Sequence, residues 1–232
     1  DDPELSGIAA VIFDEFHERS LDGDLGLALA LDSAILRPDL RILIMSATLD
    51  STRMSSLLSD APLIESEGRA FPVETRFVPP KPEIRIEDHV VSTVMTALAE
   101  EHGSILVFLP GEAEIRRVAE RLSGQVTDTT DIAPLYGRLT PKEQDRAIAP
   151  AATGRRKVVL ATTIAQTSLT IEGIRVVVDS GLARVPVYEP ATALTRLETR
   201  RISKAAATQR QGRAGRTEDG VCYRLWNKGQ HA

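Results

Sequence analysis

The sequence predicts an α/β fold built on parallel sheets and divided into two parts, the first truncated and the second nearly complete. Three observations carry this. Apolar runs alternate with helical patterns along the chain, as parallel sheets with crossover helices require. Gly68, Arg69 and Pro72 interrupt the pattern at Glu67–Pro72, separating residues 1–67 from residues 68–232. The first part supplies only about three strands, too few for a sheet with both faces covered, whereas the second supplies at least about six with helices between them.

In the first part, Ile8–Phe13 reads as a strand buried on both faces. A helix is predicted over Asp22–Leu36, a strand at Arg41–Met45, a helix at Thr52–Leu58 and a short strand at Leu63–Glu65. In the second part, strands are predicted at Val73–Val78, Ile105–Leu109, Ile132–Leu135, Lys157–Ala161, Val176–Asp179 and Val221–Trp226. The helices between them are Ile86–Glu101, Glu112–Leu122, Pro141–Ile148 and Lys204–Arg210. The helix after Gly111 carries Ala113, Ile115, Val118, Ala119 and Leu122 as a stripe that can pack on a sheet. Pro141 in a first turn, with Thr140 before it as a cap, marks another helix start.

With 42% hydrophobic and 26% charged residues in 232, the chain is ordinary soluble globular material. No apolar run approaches the roughly 18 residues of a membrane span, so no membrane partner is expected. The acidic start Asp1-Asp2-Pro3-Glu4 does not resemble a signal peptide, and the absence of an initiator Met suggests a piece of a longer chain. The single cysteine, Cys222, excludes an internal disulfide framework and suits a reducing cytoplasm. It lies in a strand-like stretch and reads as a buried, inert thiol. A net charge of −5 argues against a generally basic nucleic-acid binder, yet a local basic surface remains open. Seven basic residues and one acid, Glu198, lie between Arg196 and Arg216.

The chemistry concentrates after strands. Asp14 and Glu15 fall at the carboxyl end of the first strand, where open α/β sheets bind ligands. Mg²⁺ takes hard oxygen ligands, largely through water, so Asp14 can anchor it while Glu15 polarises an attacking water. A zinc-protease reading fails, because no second histidine follows His17-Glu18 at helical spacing. Ser46-Ala47-Thr48 closes the next strand with two hydroxyls. Thr162, Thr163, Thr167, Ser168 and Thr170 follow the Lys157–Ala161 strand and offer neutral phosphate contacts. Arg210, Arg213 and Arg216 recur at i, i+3, i+6 beside Gly212 and Gly215. Glycines there suit a backbone that passes close to a ligand, and guanidinium groups suit a transferring phosphoryl group. No Gly-x-x-x-x-Gly-Lys-Ser/Thr loop occurs in the sequence.

The order Asp-Glu-x-His, Ser-Ala-Thr, Phe-Leu-Pro-Gly, Ala-Thr-x-Ile-Ala-x-Thr-Ser-Leu-Thr and Gln-Arg-x-Gly-Arg-Ala-Gly-Arg resembles the DEAH-box RNA helicases of superfamily two. Phe16 within the first motif, and the stretches Val178–Arg184 and Leu194–Thr199, resemble its bacterial HrpB branch. The resemblance spans essentially the whole chain. It implies two RecA-like domains, with ATP between them and RNA across their top. It makes Asp14 and Glu15 the carboxylates for Mg²⁺ and water. His17, Ser46 and Thr48 would couple hydrolysis to domain movement. Gln209, Arg213 and Arg216 would meet the γ-phosphate and attacking water, and Pro110, Gly111 and Thr162 would face RNA. Three departures stand out: Thr163 and Gln166 occupy positions where the family usually has Asn and Glu, and Gln211 replaces a common Ala. The resemblance implies that the phosphate-cradling loop precedes Asp1 and accessory domains follow Ala232. The chain alone is therefore expected to be inactive and to need the remainder of its parent. Two other functions fit the residues: a nucleic-acid-binding module without catalysis, and an NTP-driven DNA translocase. An aromatic content of 4% gives few stacking platforms and favours backbone tracking.

Overall fold

The computed structural model describes residues 2, 4–16, 20–46, 55, 56, 58, 61–65, 71–166 and 169–231. The chain divides into two units, Asp1–Glu67 and Gly68–Ala232.

In the first unit, β1 (Ala10–Phe13) and β2 (Arg41–Ile44) pair in parallel, with Ala10 opposite Arg41 and Phe13 opposite Ile44. Between them runs α1 (Leu21–Leu36), whose first turn is capped by the Ser20 hydroxyl accepting from the Gly23 N–H at 2.9 Å. At the other end, Arg37 donates to the carbonyls of Glu4, Leu5 and Ile8 and pairs with Asp39 at 2.7 Å, tying the leading segment down. β1 departs from the expected strand buried on both faces. Phe13 turns toward Gly26 of α1, whereas Ile8 and Ile12 are 44% and 58% exposed. Successive side chains point to opposite faces, and the described elements cover only one. Residues 61–65 carry no strand, so the expected Leu63–Glu65 ladder is absent there. Most of the expected Thr52–Leu58 helix lies outside the described residues; Ser55 and Ser56 are helical.

The second unit is a six-stranded sheet in the order β3-β10-β7-β4-β6-β5, parallel throughout. Its strands are β3 (Val73–Phe77), β4 (Ser104–Phe108), β5 (Thr130–Leu135), β6 (Arg156–Ala161), β7 (Ile174–Asp179) and β10 (Gly220–Arg224). The helices α2 (Ile86–Glu100), α3 (Glu112–Ser123), α4 (Pro141–Ile148) and α5 (Lys204–Gln211) connect them. Every residue of β4 is buried because the strand is covered twice. Ile105 and Val107 meet Val94, Ile115 and Val118 on one face. Leu106 and Phe108 meet Leu135, Val177 and Cys222 on the other. That is why the central strands read as continuous apolar runs. At the start of α4, Thr140 and Glu143 form a reciprocal cap: the Thr140 N–H donates to Glu143 at 2.8 Å and the Glu143 N–H donates back to the hydroxyl. Burial pushes the Cys222 thiol up to about 12, which makes it inert.

The sequence did not predict an antiparallel hairpin of β8 (Leu182–Glu189) and β9 (Leu194–Arg201) between β7 and α5. Most of β9 is exposed, so the hairpin buries no full apolar face and leaves no clean alternation to read.

Candidate functional site

In the first unit, Asp14 and Glu15 stand at the carboxyl end of β1. Glu15 has φ 51°, a left-handed conformation that costs a non-glycine residue about 1–2 kcal/mol. Its N–H donates to Asp14 Oδ1 at 2.8 Å. The next N–H, of Phe16, returns to the Met45 carbonyl at 3.0 Å and binds the ends of β1 and β2 together. Phe16 also meets Phe13 edge to face at 6.3 Å. The turn thus sets two adjacent carboxylates at a fixed strand end, with half-buried Ser46 just past β2. No group of three or more His, Cys, Asp or Glu able to hold a metal occurs among the described residues. Two neighbouring carboxylates suit a cation that keeps much of its water, as Mg²⁺ does. His17 and Thr48 lie outside the described residues.

In the second unit, the carboxyl ends of β4, β6 and β7 converge on α5. Arg210 is wholly buried. It donates to Asp179 Oδ1 at 2.8 Å, to Gln166 Oε1 at 3.1 Å and to the Leu182 carbonyl at 3.3 Å, and it lies 4.7 Å over the Phe108 ring. Asp179 Oδ1 also accepts from the Gly181 N–H at 2.9 Å. Arg213, 6% exposed, turns onto a loop: it donates to the Leu169 carbonyl at 2.7 Å and to the Gln166 carbonyl through both Nε, at 2.8 Å, and Nη2. Arg216 is exposed, and its Nη1 donates to the Thr170 hydroxyl at 3.1 Å. Gln209 Oε1 accepts from Gln166 Nε2 at 2.6 Å.

The three regularly spaced arginines therefore have three environments. α5 ends at Gln211, so helical spacing no longer places Arg213 and Arg216 beside Arg210. The glycines also need a different reading. A Cβ on Gly215 would lie 2.5 Å from the Phe71 carbonyl, and the Gly215 carbonyl accepts from the Phe71 N–H at 2.9 Å. Gly215 thus admits the chain leading into β3.

Pro110 and Gly111 are buried at the end of β4, where Gly111 caps α3. A Cβ on Gly111 would lie 2.9 Å from the Arg184 guanidinium, which Glu114 accepts from at 3.5 Å. Arg184, on β8, therefore roofs this segment. Thr162 is half-buried past β6, its N–H donating to the Leu135 carbonyl at 3.3 Å.

The structure thus joins Gln209 and Arg213 through Gln166, brings Arg216 onto the same loop at Thr170, and sets Pro110 and Gly111 beneath Arg184. The expectation that Arg210 stands with Arg213 and Arg216 as a phosphate-facing guanidinium does not hold, because it is buried against Asp179. Sequence reasoning noted Gln166 only as a departure from the family and assigned no role to Asp179 or Arg184. Asp179 carried the same signal as Asp14, an acid ending an apolar strand.

Residues 88–218 match the family model described as helicase conserved C-terminal domain. The chain is 54% identical over 230 residues to the ATP-dependent RNA helicase HrpB of Escherichia coli strain K12, covering 99% of this chain and 28% of that protein. It is 43% identical over 223 residues to the ATP-dependent RNA helicase HrpA of the same organism, covering 94% of this chain and 17% of that protein. A crystal structure of the Escherichia coli DEAH/RHA helicase HrpB superposes with a TM-score of 0.92 at 54% identity, over 99% of this chain and 30% of that one.

Proposed function

The chain belongs to the helicase conserved C-terminal domain family, and on that premise we propose that it is the part of an ATP-dependent RNA helicase that couples ATP hydrolysis to movement along RNA or its unwinding. The observation that carries this reading is the contact of the Gln209–Arg216 segment with the Gln166–Thr170 loop, since these are the segments with phosphate-binding chemistry. The chain spans 28% of the length of HrpB, so the activity belongs to the parent protein.

Asp14 and Glu15 would hold Mg²⁺, largely through water, and the bound ion would supply charge neutralisation on the β- and γ-phosphates. Glu15 polarises the attacking water. Gln209, Arg213 and Arg216 meet the γ-phosphate. For Arg213 this means exchanging the carbonyls of Gln166 and Leu169 for charged oxygens, a stronger class of hydrogen bond. Those carbonyls belong to the loop that follows Thr162, so the exchange would free the RNA-facing loop as ATP is gripped. Ser46, with His17 and Thr48, transmits hydrolysis to domain movement. Thr162 and the Pro110–Gly111 segment face the RNA backbone, the latter through Arg184 above it. Among the described residues no helix is long and apolar enough to cross a membrane; a cytoplasmic setting fits the lone buried thiol. The 232 residues hold no Walker-A lysine, and by themselves they should not turn ATP over.

Glu15→Gln in the full-length parent tests this reading. The amide keeps the shape but cannot serve as a base, so ATP binding should persist while RNA-stimulated phosphate release is suppressed. Unchanged turnover would remove Glu15 from the mechanism. Stronger stimulation by single-stranded DNA than by RNA would replace the helicase with a DNA translocase.

A further inference from the structure

Arg184 is the loose end of a ladder of charges that runs from α2 through α3 to the hairpin. Glu87 of α2 accepts from Arg117 Nε at 2.7 Å. Arg117 Nη2 donates to Glu114 Oε1 at 2.9 Å, three residues back on the same helix. The other oxygen of Glu114 accepts from Arg184 Nη2 at 3.5 Å. Glu114 thus has two partners of unequal hold. The bond to Arg117 is short, whereas that to Arg184 lies beyond the usual limit of about 3.2 Å. The Glu114 side chain is 14% exposed and that of Arg184 39%, so water and solutes reach the arginine.

Gly111 is what lets the pair rest where it does. A Cβ there would meet Arg184 Cζ and Nε at 2.9 Å and Glu114 Oε2 at 3.0 Å. The Gly111 φ of −165° is extended backbone that any residue adopts, so the missing side chain serves space and not conformation. The guanidinium lies directly on the main chain at the end of β4.

We propose that Glu114 is a positioning residue that parks Arg184 over Gly111 when RNA is absent, and that an RNA phosphate draws Arg184 away from it. This rests on the reading of the Pro110–Gly111 segment as RNA-facing. A phosphate offers the guanidinium fork two charged oxygens, a better match than one carboxylate oxygen at 3.5 Å. Glu114 keeps Arg117 when Arg184 leaves, so no half-buried carboxylate is stranded. Arg184 in turn uncovers a stretch of backbone whose glycine has no side chain to hold the strand off. Binding at this point is then an exchange of one anion for another, and Glu114 lowers RNA affinity.

The test is nucleotide-free RNA affinity of the full-length parent, read by anisotropy of a fluorescein-labelled oligouridylate. Glu114→Gln keeps an acceptor for Arg117 but gives up the charge that holds Arg184. It should tighten binding about two- to fivefold, the size of an exposed ion pair that no longer has to break. The salt dependence should keep its slope, because the same phosphates are contacted. Arg184→Ala should weaken binding and lower that slope by about 0.7, one phosphate on a single strand. Added to Arg184→Ala, Glu114→Gln should change affinity less than about 1.5-fold, since the pair it breaks is already gone. Equal tightening in both backgrounds overturns the proposal, because Glu114 then only repels RNA at a distance. Unchanged affinity in Glu114→Gln, with Arg184→Ala weakened, overturns it too and leaves the RNA-facing reading standing. If Arg184→Ala alters neither affinity nor slope, that reading of the segment fails and the proposal falls with it. Thermal midpoints check folding. Should Glu114→Gln not fold, Glu114→Asp keeps the charge but draws it back from Arg184; tighter binding supports the proposal and unchanged binding overturns it.

Discussion

At the first end of β7, Arg175 donates to Glu101 at 2.7 Å, with the two side chains 15% and 10% exposed. At the other end, Asp179 accepts from Arg210 at 2.8 Å, and both side chains are fully buried. The strand is the same and so is the pair of charges, yet the surroundings differ. At the first end the partners come from the end of α2 and from neighbouring strands: Arg76 donates to Glu101 at 2.9 Å and to the Tyr223 hydroxyl at 2.8 Å. Water can reach this cluster and replace a lost member. At the carboxyl end the partners come from the loop after β6 and from α5, and no water competes. Removing two charges from water is expensive, and a fully buried pair adds little net stability over a well-packed apolar pair. What it does supply here is position: it fixes Gln166, and through it Gln209 and Arg213, against the sheet.

The strongest break in the comparison is beyond the buried end, at Arg216. In the full-length parent, Arg216→Lys keeps the charge but loses the planar fork, and turnover should fall about 10³-fold, as for other arginine fingers. RNA affinity without nucleotide should change far less. Normal turnover with weakened RNA binding would move Arg216 to the RNA surface.

Asp179→Ala comes next. It strands a buried guanidinium and should cost about 3–5 kcal/mol, read from urea unfolding of this chain. A loss under about 1 kcal/mol would mean that water enters and that the two ends of β7 are alike.

Arg175→Ala at the first end should cost only about 1–2 kcal/mol, because Arg76 remains on Glu101. A cost equal to that of Asp179→Ala would erase the distinction.

The smallest effect is in acid. Burial pushes the Glu101 carboxyl up, but its bonds to Arg175 and Arg76 outweigh this and hold it below the usual carboxylate range. A carboxyl held lower in the folded than in the unfolded chain stabilises above the unfolded value of about 4.3 and loses that contribution as pH falls through the folded value. The stability gap between the wild type and Glu101→Gln should therefore be full near pH 6 and shrink toward pH 3. A gap independent of pH would show that the pair does not govern this end.

The sequence by itself determined the alternation of elements, because central strands covered on both faces must be continuously apolar and helices between them must be amphipathic. Ile105–Leu109 was read as a strand and β4 spans Ser104–Phe108; the predicted Pro141–Ile148 is α4 itself. It also located Asp14, Glu15, Thr162 and Gln209–Arg216 at strand ends and in a basic segment, since these are composition and order. Only the tertiary structure decided what each does locally. Periodicity treats Arg210, Arg213 and Arg216 as equivalent, but burial and partners come from β4, β7 and the Gln166 loop, elements distant in the chain. The hairpin of β8 and β9 was hidden for a related reason: it is held by its own ladder and leaves little apolar alternation. Gln166 shows the limit most clearly. As a letter it is a polar residue where the family usually has Glu; as a side chain between a guanidinium and a second amide, it makes contacts across the chain that no sequence pattern encodes.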